Sequence, residues 1–130
     1  MTQILEIVDL SKQYPDTPRP ALDHVSFGVE QGSFTVILGR SGSGKTTLFR
    51  CLNMLVRPSG GQVHILGQEW QKLNAHQLCE ARRQMATIFQ QYNLITRISV
   101  MENVLAGQLA SVPLWRAVLR RFPASYQDWA

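Results

Sequence analysis

The sequence has 130 residues, of which 45% are hydrophobic and 17% charged, with a formal net charge of +4. This size and composition are typical of one folded domain and exclude a disordered or low-complexity chain. The longest apolar runs, such as 34–38, fall far short of the roughly 20 residues of a membrane-spanning helix. The N-terminus carries acids and no basic segment, so we expect no secretory signal and a cytoplasmic location.

Three strands are predicted in the first 40 residues. Residues 4–10 and 25–29 are partly alternating runs rich in β-branched side chains, with the turn-rich segment YPDTPRP between them. Residues 33–38, SFTVIL, form a continuous apolar run, which is typical of a strand buried on both faces. This third strand leads directly into a glycine-rich loop.

A helix, a strand and a second helix are predicted after that loop. The helix covers 45–56 and is stopped by RPSGG, and the strand covers 62–67. Asn74 can cap a helix that runs to about Met85 and carries Arg82 and Arg83 outward.

In the last third of the chain, the sequence predicts one more strand and two more helices. The strand covers 86–91, and Ser99 with Glu102 forms a capping box for a helix over about 100–110. Pro113 is well placed to open a helix that ends before Pro123 and carries an apolar stripe.

Neither cysteine nor histidine indicates a metal centre. Cys51 and Cys79 belong to no CxxC or Cys/His pattern, so both are expected to be reduced, part-buried apolar residues. His24, His64 and His76 are expected to be surface, helix or strand residues without a catalytic part.

The glycine-rich loop GRSGSGKT matches the phosphate-binding pattern G-x-x-x-x-G-K-[ST] without a gap, between a predicted strand and a predicted helix. Glycines let successive backbone N–H groups point at one anion, the lysine reaches the β- and γ-phosphates, and the following threonine offers its hydroxyl to Mg²⁺. The alternative is a purely structural turn. The residues predicted to bind nucleotide here are Gly39, Arg40, Ser41, Gly42, Ser43, Gly44, Lys45, Thr46 and Thr47.

The loop alone does not distinguish a kinase, a GTPase and a transport ATPase. Hydrolysis by such proteins also needs a carboxylate at the end of a second buried strand. The acids after Lys45 are Glu69, Glu80, Glu102 and Asp128, and none directly follows a run of four apolar residues. We therefore expect these 130 residues to bind a nucleotide without hydrolysing it.

Two long segments, LGRSGSGKTTLFRCLNMLVRPSGGQVHILGQ and MATIFQQYNLITRISVMENVLAGQL, resemble the first half of the ATP-binding subunit of an ABC transporter. Tyr14 resembles the aromatic residue that stacks on adenine, and Gln90 resembles the glutamine that joins the metal and water to the transporter interface. Without the resemblance, Tyr14 would be a turn or edge-strand aromatic and Gln90 a polar strand end.

The resemblance implies an α/β fold of the P-loop NTPase class: a mixed sheet with an antiparallel β edge and a partial RecA-like core. It implies that residues 1–130 are part of a nucleotide-binding domain, with A-loop, Walker A and Q-loop but without signature, Walker B, D-loop and H-loop. ATP and Mg²⁺ are the implied ligands, with Lys45 and Gln90 in catalysis and Thr46 and Gln90 at the metal. The segment SGGQ at 59–62 imitates the signature, but the strand that follows it excludes that role.

Residues 89–109 and the segment WRAVLRRFP resemble the ATPase of bacterial phosphonate importers. This implies a phosphonate-transporting ATPase on the cytoplasmic face of the inner membrane. Its implied partners are membrane-spanning permease subunits, contacted by residues 91–110, a second ATP-binding subunit in a homodimer and, indirectly, a periplasmic binding protein; no nucleic acid is implied.

Two alternatives stay open. One is a truncated or remnant chain that only binds nucleotide, in which 33–38 loses a neighbouring strand and exposes its apolar side chains. The other is a small-metabolite kinase, for which the only candidate lid residues are Arg116, Arg120 and Arg121. It gives Tyr14 and Gln90 no role.

Overall fold

The computed structural model describes residues 3–88, 94–107 and 109. The chain divides into two compact units, Met1–Arg82 and Arg83–Ala130. The elements of the first unit are β1 (Gln3–Lys12), β2 (Leu22–Glu30), α1 (Lys45–Leu52), β3 (Gly60–Ile65), β4 (Gln68–Glu69), a 3₁₀ turn (Trp70–Lys72) and α2 (Ala75–Arg82). The second unit contains α3 (Val100–Ala106).

The four strands form one sheet in the order β2-β1-β3-β4, and every pair is antiparallel. The three strands predicted at 4–10, 25–29 and 62–67 are all present, and the first two are longer than predicted. Strand β1 pairs on both sides, so that Ile7 lies between Phe27 of β2 and Val63 of β3. The α/β fold and its antiparallel edge are thereby confirmed.

A β-bulge in β1 decides which side chains enter the core. The register shifts between Ile7 and Leu10, and Asp9 within the shift has a left-handed φ of 55°. Strict alternation would place residues 7 and 10 on opposite faces, whereas the extra residue lets both be buried. Opposite the bulge stands Gly61, where a Cβ atom would lie 2.3 Å from the Asp9 carbonyl oxygen.

Helix α1 buries Leu48, Cys51 and Leu52. It ends at Leu52, four residues before the predicted end, and Met54 beyond it has a left-handed φ of 51°. The Arg82 guanidinium donates to the carbonyl oxygens of residues 53 and 54, each at 2.9 Å. The prediction that Arg82 points outward is therefore wrong, because a cation at a helix C-terminus satisfies carbonyls that lack partners there.

Two predicted helix starts are confirmed. Asn74 accepts a hydrogen bond from the Gln77 amide at 2.9 Å, although α2 ends at Arg82 and not at Met85. In the second unit, Ser99 and Glu102 form the predicted capping box of α3. No helix among the described residues is long and apolar enough to cross a membrane.

The predicted strand at 33–38 is not formed, and residues 33–40 have no regular secondary structure. Phe34 and Leu38 are 92% and 87% exposed. A strand needs a neighbour to bond its backbone, and no described strand flanks this segment. The strand prediction is therefore wrong, whereas the expected exposure of these apolar side chains is confirmed.

Other predictions fall partly or wholly outside the described residues. At the predicted strand 86–91, residues 86–88 form no strand, and the remainder, with Gln90, lies outside. The helix predicted from Pro113 lies outside as well. Both cysteines are free as expected, but Cys51 is buried and Cys79 exposed, so the part-buried environment predicted for them is wrong.

Two valines allow the buried core of the sheet to be compared with the exposed segment 33–40. Val63 in β3 is 0% exposed and Val36 is 59% exposed. We expect Val63→Ala to lower the free energy of unfolding by about 2 kcal/mol, because it leaves a cavity in the core. Val36→Ala should change it by less than about 0.5 kcal/mol. Urea denaturation followed by circular dichroism measures both, and equal losses would contradict this assignment of the core.

Candidate nucleotide-binding site

The phosphate loop ends in a conformation that depends on glycine. Gly42 and Gly44 have left-handed φ angles of 79° and 88°, and the Ser43 amide donates to the Arg40 carbonyl oxygen at 3.2 Å. Gly44 is the N-cap of α1 and has no side chain to bond the first turn, which also contains no acidic residue. The free N–H groups and partial positive charge of this helix end favour an anion.

Lys45 folds back across the mouth of the loop. Its ammonium donates to the carbonyl oxygens of Gly39 at 2.6 Å and Arg40 at 2.8 Å, and to the Ser43 hydroxyl at 3.2 Å. These three partners are neutral oxygens of the loop itself. A phosphate at the helix N-terminus would offer the same ammonium charged oxygens, which make stronger hydrogen bonds than neutral ones.

A close backbone contact joins the phosphate loop to the sheet. A Cβ atom on Gly44 would lie 2.3 Å from the Ala21 carbonyl oxygen and 3.3 Å from the Leu22 side chain. Ala21 directly precedes β2 and ends the connection from β1, which contains Tyr14. The end of the segment that carries the predicted adenine-stacking residue therefore touches the predicted phosphate site.

Tyr14 is half-buried, at the start of a tight turn after β1. Its carbonyl oxygen accepts hydrogen bonds from the Thr17 amide at 3.2 Å and from the Gln13 side chain at 3.1 Å. The Lys12 ammonium lies over its ring, 5.2 Å from the ring centroid. The sequence motifs did not indicate Lys12 or Gln13 as site residues, although both lie just before Tyr14 in the segment SKQYP.

The turn around Tyr14 is tied to the connection between α1 and β3. The Gln13 amide donates to the Ser59 hydroxyl at 3.0 Å, and the Ser59 amide donates to the Ser11 carbonyl oxygen at 2.8 Å. Gly60 then begins β3. SGGQ therefore lies in a turn that enters a strand, which confirms that it does not open a helix as a signature segment would.

The remaining predicted site residues divide into two groups. Thr46 is exposed and Thr47 half-buried in the first turn of α1, beside Lys45, whereas Arg40 and Ser41 are exposed in the loop. Gln90 lies outside the described residues. Among the residues that the structure describes, no cluster of three or more His, Cys, Asp or Glu side chains could hold a metal ion.

The sequence profile of the family described as "ABC transporter" matches residues 22–129 of this chain. The chain belongs to the ABC transporter family. The solved ABC cassettes agree with this assignment: the dimeric ATP-binding cassette MJ0796 bound to ADP and Pi superimposes with a TM-score of 0.76 at 26% identity, over 95% of this chain and 53% of that one.

Several curated proteins that match this chain are named phosphonate import ATP-binding proteins. The chain is 44% identical over 127 residues to PhnC 2 of Synechococcus sp., covering 98% of this chain and 47% of that protein. It is 45% identical over 116 residues to PhnC of Treponema denticola, covering 89% and 45%. The chain spans about half the length of the curated relatives it matches.

The contact between Gly44 and Ala21 generates a prediction. Gly44→Ala should lower the free energy of unfolding by more than about 2 kcal/mol, because the new methyl group meets a backbone carbonyl and the φ angle is strained. Gly42→Ala is the matched control, since its φ is also left-handed but nothing lies within 4 Å, and it should cost only about 1 kcal/mol. Urea denaturation of both variants compares them, and equal losses would contradict the importance of the contact.

Proposed function

We propose that this chain supplies the MgATP-binding part of an importer ATPase, and that the importer carries phosphonates. The observation that carries the proposal is the loop before α1, where two left-handed glycines, an uncapped helix N-terminus and the Lys45 ammonium converge. These groups suit a chain of negatively charged phosphates.

Each residue has a role in this proposal. The loop amides from Gly39 to Lys45, with Thr47, hold the phosphates, and the Lys45 ammonium moves from neutral carbonyls to charged phosphate oxygens. Tyr14 stacks on the adenine base.

The residues present fit Mg²⁺ only as part of a shared coordination shell. The Thr46 hydroxyl, with Gln90 as a further ligand, would hold Mg²⁺, whose other ligands would be phosphate oxygens and water, as this ion prefers. When bound, the ion neutralises charge on the phosphates.

Binding and hydrolysis are separate parts of the proposal. Within residues 1–130, no acid directly follows a run of four apolar residues beyond Lys45, so no carboxylate occupies the position that such hydrolysis needs. We infer that these residues alone bind MgATP without turnover. Hydrolysis would then require assembly with a second ATP-binding subunit and with permease subunits at the cytoplasmic face of the inner membrane. A periplasmic binding protein would take part indirectly.

The phosphonate cargo has its support in the names of the matching relatives, each of which covers most of this chain. A remnant that only binds nucleotide would share the loop geometry and differ in having no effect on uptake. The kinase alternative has no support among the described residues, because its candidate arginines lie outside them.

Nucleotide binding is tested at Lys45. Lys45→Ala should weaken MgATP binding at least tenfold by isothermal titration calorimetry, since it removes charge-assisted hydrogen bonds to phosphate. Lys72→Ala is the matched control, because it removes the same charge from an exposed lysine that pairs with Glu69 at 2.6 Å. The site assignment is wrong if the Lys45 variant binds MgATP as tightly as the parent chain.

The cargo is tested in the cell that carries the gene. A chromosomal Lys45→Ala codon should abolish growth with a phosphonate as the sole source of phosphorus, while growth on inorganic phosphate continues. The Lys72→Ala codon should leave both kinds of growth unchanged. Normal growth of the Lys45 variant on phosphonates would contradict the proposed cargo and favour the remnant.

A further inference from the structure

Lys12 contacts both the Tyr14 ring and the connection between α1 and β3. It is the last residue of β1, and its ammonium lies over the Tyr14 ring, 5.2 Å from the centroid. The same ammonium donates a hydrogen bond to the Arg57 carbonyl oxygen at 2.8 Å. The Lys12 cation therefore contacts both a neighbouring aromatic ring and a backbone carbonyl 45 residues further along the chain.

We propose that Lys12 is a positioning residue, which holds the Tyr14 ring in place for stacking on the nucleotide base. This inference rests on the proposed function, because it assigns the base to Tyr14. It gives a role to a side chain that the phosphate-binding motif does not include.

The geometry explains how a lysine can fix the ring. A ring has two faces, and the electron-rich face of a tyrosine attracts a cation within about 6 Å of its centroid. Since the ammonium covers one face, the base must stack on the other. The hydrogen bond to the Arg57 carbonyl restricts a side chain that is otherwise among the most flexible. The cation is therefore a fixed support for the ring.

The backbone around both contacts is held by hydrogen bonds that do not involve the Lys12 side chain. The Gln13 amide bonds to the Ser59 hydroxyl, and the Ser59 amide bonds to Ser11, so the turn and the 57–60 segment stay together without the ammonium. The Lys12 carbonyl oxygen also accepts from the Ala21 amide at 2.7 Å. Replacing the Lys12 side chain should therefore affect the ring more than the fold.

The Lys12 ammonium also bonds the segment that follows α1, the helix that begins with Lys45. Arg57 follows α1, and the positive charge of Lys12 acts on the buried Cys51 thiol of that helix, where it opposes the rise in pKa that burial causes. The proposed support of the base therefore contacts the segment that follows α1, and the proposed phosphate-binding Lys45 begins the same helix.

Calorimetry with two ligands separates positioning from general attraction. MgATP carries a base, and magnesium tripolyphosphate carries a phosphate chain without one. We expect Lys12→Met to weaken MgATP binding about two- to fivefold, the size of an exposed cation–π contact, and to leave tripolyphosphate binding unchanged. Lys12→Arg should restore MgATP affinity, because a guanidinium can also cover the ring and donate to the carbonyl.

A Tyr14→Ala background provides the matched control. Tyr14→Ala should itself weaken MgATP binding by at least about fivefold. Lys12→Met should have no further effect in that background, because the ring on which it acts is gone. If Lys12→Met does not fold, Lys12→Gln keeps an N–H donor but removes the charge, and the same losses are expected of it.

Each outcome decides between the two proposals. Equal losses for MgATP and tripolyphosphate would overturn the positioning role and make Lys12 a general attractor of phosphate. A Lys12 effect that persists without the Tyr14 ring would overturn it too, as would a Tyr14→Ala variant that binds MgATP normally. If the parent binds neither ligand, the proposed function fails with it; if the parent binds both, only the inference is at stake.

Discussion

The candidate site depends on the close approach of Gly44 to the Ala21 carbonyl. The segment before the phosphate loop is not part of the sheet, so the loop has no strand of its own to position it. It is held from its other end, where α1 packs through Leu48 and Cys51 and the backbone of Gly44 meets the start of β2. Any side chain at this glycine would separate the loop from the sheet.

This constraint explains why the site is organised while a neighbouring apolar segment is exposed. The antiparallel sheet and α1 both belong to the first unit, so these elements have their partners within the first 82 residues. Phe34 and Leu38 have no such partner among the described residues. Contacts within the first unit are therefore enough to hold the phosphate loop in shape.

How much could be predicted from the sequence depended on the range of the interactions. The Asn74 and Ser99 caps are local patterns, and both were predicted correctly. The bulge at Asp9 depends on pairing with β2 and β3, the Arg82 side chain bonds carbonyls 28 and 29 residues away, and both features were missed. The apolar run at 33–38 was misassigned for a related reason: its composition fits a buried strand, but a strand exists only beside another strand.

The site shows the same division. The residues predicted to bind phosphate lie in one continuous motif, and the structure has them in one loop and the first turn of α1. Base binding requires a ring to be placed at a fixed distance from that loop, and no continuous motif can do this. The role proposed for Lys12 is to hold this ring, through its contacts with the ring and with the Arg57 carbonyl. The Lys12–Arg57 contact joins residues 45 positions apart in the sequence, so the sequence alone could suggest Tyr14 but not Lys12.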